Sequence, residues 1–195
     1  MSERKHEILV VCLGNICRSA LTERLITMRL GRLLGAQASE LEVHSAGLRA
    51  LVGHPMNELT AAELVRLGGD PAGFVSRQVT ASMVDQADLV LTATRTIRSG
   101  VLEEAPRALK RTFTIRELEA IVTSDGFWDA EIRSFDDLVS RAAAWRGAAP
   151  VDELDVHDPI SGGPEVHREV ADVLDAASGT ITRAMAEAML SDVSP

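Results

Sequence analysis

The stretch ILVVCLGNICRSALTERL, residues 8–25, carries the strongest local pattern of the 195-residue chain. An unbroken aliphatic run ends at Cys12, and a short segment then leads to Arg18 and Ser19. A run without polar alternation is typical of a strand buried on both faces, as in a parallel sheet. Ser19 is a residue type that favours a helix N-cap. The stretch therefore predicts a strand, a tight loop and a helix that begins at Ser19.

The rest of the chain alternates in the same way. Further strands are predicted at 41–45, 88–94 and 111–115, and the main helices at 57–69, from Ile97 to before Pro106, and at 165–189. This order predicts an α/β fold: a single-domain, three-layer sandwich over residues 1–195, in which helices cover both faces of a four-stranded parallel sheet. Residues 119–150 look like an insert, for which we have no functional interpretation beyond helices that cover the sheet.

Composition limits the functions that the chain can have. The net charge of −9 disfavours a nucleic-acid surface, which requires a basic face. No apolar run reaches the roughly 18 residues of a membrane span, and the N-terminus lacks a secretory pattern, so we expect a cytoplasmic protein. Two cysteines do not make a disulfide framework. The five histidines, at positions 6, 44, 54, 157 and 167, are scattered, so we expect neither a metal site nor a cofactor.

The loop over 12–19 is predicted to lie at the carboxyl end of the first strand, where active sites form in open α/β sheets. Backbone N–H groups of residues 13–18 (Leu13, Gly14, Asn15, Ile16, Cys17 and Arg18) can converge on an oxyanion there, next to the positive end of a helix. The Arg18 guanidinium can donate two parallel hydrogen bonds to a phosphate, and a thiolate at Cys12 would be a nucleophile facing that phosphate. The spacing alone also fits a buried Cys12 and a solvated Arg18.

Several motifs together resemble the low-molecular-weight protein tyrosine phosphatase family. VCLGNICRS resembles its signature loop, HSAG (44–47) its second strand end, and SRQVT (76–80) before ADLVLTAT its approach to the third strand. DPISGG (158–163), before a C-terminal helix, resembles its aspartate-proline loop. The resemblance covers roughly residues 7–118 and 155–190. It implies a metal-independent phosphatase that acts on a phosphorylated protein or a small aryl phosphate.

The resemblance also implies roles for individual residues. Cys12 would form a phosphocysteine, Arg18 would bind the phosphate and stabilise the transition state, and Asp158 would be the general acid. Asn15 and Ser19, with Ser45 nearby, would hold the loop in shape. Cys17 would either be a small apolar side chain packed behind the loop or, as a cysteine here can be in the family, a redox partner that protects Cys12 through a reversible disulfide.

Other acidic and basic residues lie on the predicted acid loop. Asp152 and Asp155 are rivals for the role of general acid, but only Asp158 is followed by proline. His157 is interpreted as a solvated loop residue.

Four features depart from the family pattern. Ile160 and Ser161 follow the aspartate-proline pair where an aromatic residue often walls the substrate ring, and Phe74 replaces a histidine that supports the loop asparagine. Thr94-Arg95 stands where an acidic residue is common, and the segment 119–150 is longer. Ile16 matches the tyrosine-directed members, whereas those acting on phosphoarginine tend to have threonine. The departures concern substrate choice more than chemistry.

Two other functions share these features. One is an arsenate reductase that uses a small-molecule thiol, since the chain has no downstream cysteine for an internal relay. The other is a non-catalytic module that binds phosphoproteins, which the joint presence of Cys12, Arg18 and Asp158 disfavours.

Overall fold

The fold, described from a computed structural model over residues 5–147 and 153–191, contains one parallel four-stranded sheet. Its strands are β1 His6–Cys12, β2 Leu41–Gly47, β3 Leu89–Thr92 and β4 Thr112–Thr114, in the order β2-β1-β3-β4. β1 therefore lies inside the sheet, paired with β2 on one side and β3 on the other. The predicted parallel sheet and its four strands are confirmed.

Helices cover both faces of this sheet. They are α1 Arg18–Leu34, α2 Glu58–Arg66, α3 Ala81–Gln86, α4 Arg95–Glu104, α5 Ile115–Val122, α6 Phe135–Ala144 and α7 Pro164–Ser191. Ile8 and Val10 of β1 pack in the larger core with α1, α5, α6 and α7, and Leu9 and Val11 pack in the smaller core with α3 and α4. Apolar side chains on both sides explain why β1 shows no polar alternation. The predicted three layers are confirmed.

Side-chain caps define where several helices begin. Asn57 Oδ1 accepts hydrogen bonds from the backbone N–H groups of Leu59 and Thr60 at the start of α2. Thr94 caps α4 in the same way, and Thr114 forms a capping box with Glu117 at the start of α5. These caps satisfy N–H groups that have no partner inside the helix. Within the described residues, no helix is both long and apolar enough to cross a bilayer.

The prediction that Ser19 caps the first helix is wrong. α1 begins at Arg18, its N-cap is Cys17, and no side chain caps it. Ser19 lies inside the helix and is fully buried, and its hydroxyl faces the loop before the helix instead of the helix N–H groups. The first turn of α1 thus keeps unpaired N–H groups, which a capping serine would have satisfied.

The segment that resembles an insert forms the end of α5, a turn and α6, up to residue 147. Phe127, Phe135 and Leu138 are buried in the larger core, so this segment is part of the main core. The Arg141 guanidinium lies over the rings of Phe127 and Trp145, at 5.4 and 5.3 Å from their centroids. Residues 148–150 of the segment lie outside the described residues.

Candidate active site

The thiol of Cys12 lies at the carboxyl end of β1, at the start of the loop that leads into α1. Cys12 is buried, and its Sγ is 3.0 Å from Ser19 Oγ. The backbone N–H of Asn15 donates to the same sulfur at 3.2 Å. The sulfur can therefore accept hydrogen bonds from two groups, the Ser19 hydroxyl and the Asn15 N–H.

The carbonyls of the loop over 12–18 point away from the thiol. Four of them accept hydrogen bonds from the segment that follows β2: Cys12 from Leu48 N, Leu13 from Arg49 N, Gly14 from Leu51 N and Ile16 from Asn57 N, at 2.8–3.1 Å. In a planar trans peptide, the carbonyl of one residue and the N–H of the next residue point in opposite directions. The N–H groups of the loop therefore face the side of the Cys12 sulfur, as the contact from Asn15 shows directly. Among the described residues, no protein acceptor pairs with the N–H of Gly14, Cys17 or Arg18. Such an arrangement at a helix start binds oxyanions.

Asn15 holds the loop in this shape. It is fully buried, and it is the one non-glycine residue of the described chain with a positive φ, at 54°. Its Nδ2 donates to Ser19 Oγ at 2.9 Å and to Ser45 Oγ at 2.8 Å, and its Oδ1 accepts from the backbone N–H of Arg77 at 2.8 Å. Asparagine tolerates the left-handed region better than most residues. The side chain thus ties the loop to β2 and to the segment before α3.

Two residues that the sequence analysis did not identify complete this support. Glu23 of α1 is buried, and its Oε2 accepts a hydrogen bond from Ser45 Oγ at 2.5 Å. Gly47 ends β2, and a Cβ there would lie 2.5 Å from the carbonyl oxygen of Leu13. The loop can approach β2 only because Gly47 has no side chain. The HSAG motif contains Ser45 and Gly47, and Glu23 had no local signal. Phe74 is buried in the larger core and makes no hydrogen bond with Asn15.

Replacing Asn15 should destabilise the protein. We expect Asn15→Ala to lower the free energy of unfolding by about 3–5 kcal/mol, because three hydrogen bonds of about 1 kcal/mol each are lost and alanine is strained at positive φ. Asn15→Gly loses the same bonds without that strain and should be more stable than Asn15→Ala by about 1 kcal/mol. Urea unfolding measures both. If the two variants were equally stable, the backbone conformation would not contribute. If both were as stable as wild type, the hydrogen bonds would not contribute.

Arg18 and Asp158 meet across 140 positions of the chain. Arg18 is 5% exposed at the start of α1, and one of its terminal nitrogens donates to Asp158 Oδ2 at 2.5 Å. The other donates to the carbonyl of Val156 at 3.0 Å. Asp158 Oδ1 accepts from Ile160 N at 3.3 Å at the start of a 3₁₀ turn over Pro159–Ser161. The aspartate-proline loop therefore brings a half-exposed carboxyl group to the guanidinium beside the thiol.

The rival residues on this loop are placed differently. Asp155 is paired with Arg95: its Oδ1 accepts from Arg95 N at 2.7 Å, and its oxygens also contact the guanidinium. Burial, which raises its pKa, is outweighed by these hydrogen bonds, so the pKa of Asp155 lies below its usual value. This pairing also explains the arginine after Thr94. His157 is exposed, and Asp152 lies outside the described residues.

Cys17 is buried like Cys12, and both cysteines are free thiols. Burial raises the pKa of the Cys17 thiol to about 11, against the effect of a hydrogen bond with the Thr60 side chain. Cys17 is therefore protonated at neutral pH and is not the nucleophile of this loop. Its role as a redox partner of Cys12 stays a prediction.

The cleft above the loop has a volume of about 220 Å³ and is lined mostly by the loop itself: Cys12, Leu13, Gly14, Ile16, Cys17 and Arg18. Its walls are aliphatic: Leu13, Leu51 and Ile160 are each between 40% and 50% exposed. Arg49 lies at its rim, and Asp158 supplies the acidic group. The cleft has the size for one phosphorylated side chain rather than for a large cofactor.

A larger cleft, of about 730 Å³, lies between α3 and α6 and is lined by residues such as Asp85, Lys110 and Ser140. It contains none of the residues of the loop. Two groups of ligand-type side chains lie near the amino end of β1: His6 with Asp88 and Asp136, and His44 with Glu7 and Glu42. The histidines that look scattered in sequence thus approach carboxylates in space. Both groups are at the opposite end of β1 from Cys12.

The chain is similar in sequence and in fold to known phosphatases. The sequence model described as low molecular weight phosphotyrosine protein phosphatase matches residues 7–126. The low molecular weight protein-tyrosine-phosphatase Ptp of Acinetobacter johnsonii is 31% identical over 108 residues, which are 55% of this chain and 70% of that protein. The structure of the tyrosine phosphatase Wzb from Escherichia coli K30 in complex with sulphate aligns with a TM-score of 0.65 and 26% identity, over 92% of this chain and 97% of that one. The YwlE arginine phosphatase from Geobacillus stearothermophilus aligns with a TM-score of 0.65 and 26% identity, over 91% of each chain. By its matched residues and its fold, this chain belongs to the low molecular weight phosphotyrosine protein phosphatase family.

Proposed function

We propose that this protein hydrolyses phosphotyrosine in proteins through a phosphocysteine intermediate on Cys12. One observation carries the proposal: the sulfur of Cys12, the guanidinium of Arg18 and the carboxyl group of Asp158 line one cleft that fits a single phosphorylated side chain. These are a nucleophile, a phosphate-binding cation and a proton donor, which phosphoryl transfer to a thiol requires. Family membership supports the assignment.

In the first step, the Cys12 thiolate attacks the phosphorus atom, and the bond to the tyrosine oxygen breaks. The loop N–H groups and Arg18 hold the phosphate oxygens as charge shifts among them. Asp158, in its protonated form, gives its proton to the leaving oxygen. In the second step, the Asp158 carboxylate takes a proton from water, and the resulting hydroxide attacks phosphorus and releases inorganic phosphate and the Cys12 thiolate. No metal ion or cofactor takes part in these steps.

The preference for phosphotyrosine rests on the walls of the cleft. Leu13, Leu51 and Ile160 offer apolar surface to the faces of an aromatic ring, without the stacking that an aromatic wall would add. Ile16 stands where tyrosine-directed members carry it. The similarity to an arginine phosphatase makes a phosphoarginine peptide the necessary competitor in a substrate panel.

We also infer that residues 1–195 act as one phosphatase domain, because the cleft needs Cys12 from one end of the chain and Asp158 from the other. Its place of action is proposed to be the cytoplasm, since a reducing compartment keeps a thiolate nucleophile active.

The experiment that tests the function is a comparison of wild type with Asp158→Asn on peptides bearing phosphotyrosine, phosphoserine or phosphoarginine, with EDTA present. We expect wild type to prefer phosphotyrosine and to keep its rate in the chelator. Asp158→Asn should lower kcat by about 10²–10⁴-fold, because the leaving oxygen loses its proton donor. Preference for another phosphoresidue would overturn the substrate assignment, and an unchanged kcat in Asp158→Asn would overturn the role of the acid.

A further inference from the structure

A chain of buried polar side chains connects the loop around Cys12 with the loop that carries Asp158. Thr60 of α2 and His167 of α7 are each 3% exposed, and Thr60 Oγ1 lies 3.0 Å from His167 Nδ1. The Thr60 side chain also hydrogen-bonds the thiol of Cys17. At the other end, the His167 ring hydrogen-bonds the backbone of Pro159, the residue after Asp158. α2 and α7 thus meet through this imidazole, between residues that lie 107 positions apart.

The donors of this chain can be assigned from chemistry. Proline has no N–H, so its backbone can only accept, and the ring nitrogen facing Pro159 must carry a proton. Burial lowers the pKa of His167, although the hydrogen bond to Pro159 and the carboxylates of Glu63 and Asp158 act in the opposite direction. In the neutral ring the second nitrogen, Nδ1, therefore accepts from the Thr60 hydroxyl.

The acid loop needs such support because its other anchor is used by the substrate. Asp158 is held by Arg18, whose guanidinium must turn to the phosphate oxygens during the reaction. The contact from His167 to Pro159 uses only the backbone and lies outside the cleft. His167 also donates its own backbone N–H to the carbonyl of Gly163 at 3.1 Å, in the first turn of α7. Ring and backbone together fix the segment between Asp158 and α7 at two points.

We propose that His167 is a positioning residue for the general acid: through Thr60 and Pro159 it holds the aspartate-proline loop against the phosphate loop, so that Asp158 reaches the leaving oxygen. The inference rests on the proposed function, since it needs Asp158 as the proton donor. It makes a prediction that a merely structural role does not. Loss of the contact should impair proton donation and leave phosphate binding intact.

The test uses two substrates that differ in leaving group. Phenol is a poor leaving group with a pKa of about 10 and needs a proton, whereas 4-nitrophenol is far more acidic and needs little help. The ratio kcat/KM reports the transfer of phosphate to Cys12 and not the second step, which both substrates share and in which Asp158 acts as base. In His167→Phe, which keeps a buried ring without hydrogen bonds, we expect kcat/KM for phenyl phosphate to fall by about 10–100-fold and that for 4-nitrophenyl phosphate by less than about 3-fold. Competitive inhibition by inorganic phosphate should stay the same. His167→Gln can still accept from Thr60 and donate to Pro159, so it should restore most of the rate on phenyl phosphate.

Three further variants make the outcome decisive. Asp158→Asn gives the leaving-group dependence expected when the acid is lost, and His157→Gln, at an exposed position beside Asp158, should leave both rates unchanged. If His167→Phe does not fold, as thermal unfolding would show, His167→Asn replaces it, because its shorter side chain reaches Thr60 but not Pro159. An equal fall of both kcat/KM values in a folded His167 variant, or a glutamine as damaging as phenylalanine, overturns the inference while Asp158→Asn still behaves as an acid knockout. If Asp158→Asn shows no leaving-group dependence, the proposed function itself fails.

Discussion

Cys12→Ser is expected to abolish the hydrolysis of aryl phosphates, with a fall in kcat of at least about 10⁴-fold. A serine hydroxyl is not ionised at neutral pH, and in this loop no base is positioned to activate it as the thiolate is activated. The hydrogen bonds from Ser19 and Asn15 would still hold the new side chain, so the fold should be kept. The measurement is the initial rate with 4-nitrophenyl phosphate at saturating concentration, beside the thermal unfolding temperature of both proteins.

The matched control is Cys17→Ser, which makes the same chemical change five positions further along the chain. Turnover should persist there, because in the proposed mechanism Cys17 offers only its backbone N–H to the phosphate and its side chain is buried. Labelling with iodoacetamide gives an independent readout. With the pKa of Cys17 raised to about 11 by burial, only about one in 10⁴ of these thiols is ionised at pH 7, so wild type should take up one label and Cys12→Ser almost none. Full activity in Cys12→Ser, or two labels in wild type, would contradict the assignment.

Arg18→Lys is expected to lower kcat/KM by about 10³-fold, although it keeps the positive charge. In the proposed mechanism the guanidinium binds two phosphate oxygens with a planar pair of N–H groups, whereas a lysine ammonium offers only a point charge. The loss falls mainly on the transition state, where the charge on the phosphate oxygens is redistributed. Lysine also lacks the two terminal nitrogens with which Arg18 donates hydrogen bonds to Asp158 and to the carbonyl of Val156 in the free protein. Steady-state kinetics measures the loss in the transition state, and competition by inorganic phosphate measures the loss in phosphate binding.

Arg95→Lys is the control for this substitution. Arg95 also pairs with an aspartate of the acid loop, Asp155, but its side chain is 60% exposed, whereas that of Arg18 is 6% exposed. An exposed ion pair contributes little, so Arg95→Lys should change kcat/KM by less than about 3-fold. Similar losses in the two variants would mean that the acid loop needs any arginine contact and that Arg18 has no special role toward phosphate.

Local patterns in the sequence were enough to predict the sheet and the position of the loop. The aliphatic run before Cys12 predicted a strand buried on both faces, and both faces of β1 are in fact packed against helices. The error at Ser19 has a physical reason: a serine hydroxyl caps a helix only when no stronger partner is near. Here the Cys12 sulfur and the Asn15 amide lie within 3.0 Å of it, and Cys17 becomes the N-cap.

The support of the loop was less predictable. Phe74 replaces a histidine that supports the loop asparagine in the family. In this protein Ser45 and the backbone of Arg77 bind the Asn15 side chain, and Glu23 binds Ser45. Glu23 looks like an ordinary surface acid in the sequence, because its helical spacing gives no sign that it faces β2. Its burial depends on the crossing of α1 over the sheet, which local pattern does not define.

By itself, the sequence determined that a thiol and an arginine lie on either side of a tight turn between a buried strand and a helix. This information is local, since strand, turn and helix are set by residues within about ten positions of one another. Only the tertiary structure decided which acid faces that thiol and what holds it there. Asp158 reaches Arg18 across 140 positions, and His167 reaches Thr60 across 107. Such contacts follow from how α2 and α7 pack on α1 and on the carboxyl ends of parallel strands, where residues distant in the chain are brought to one edge.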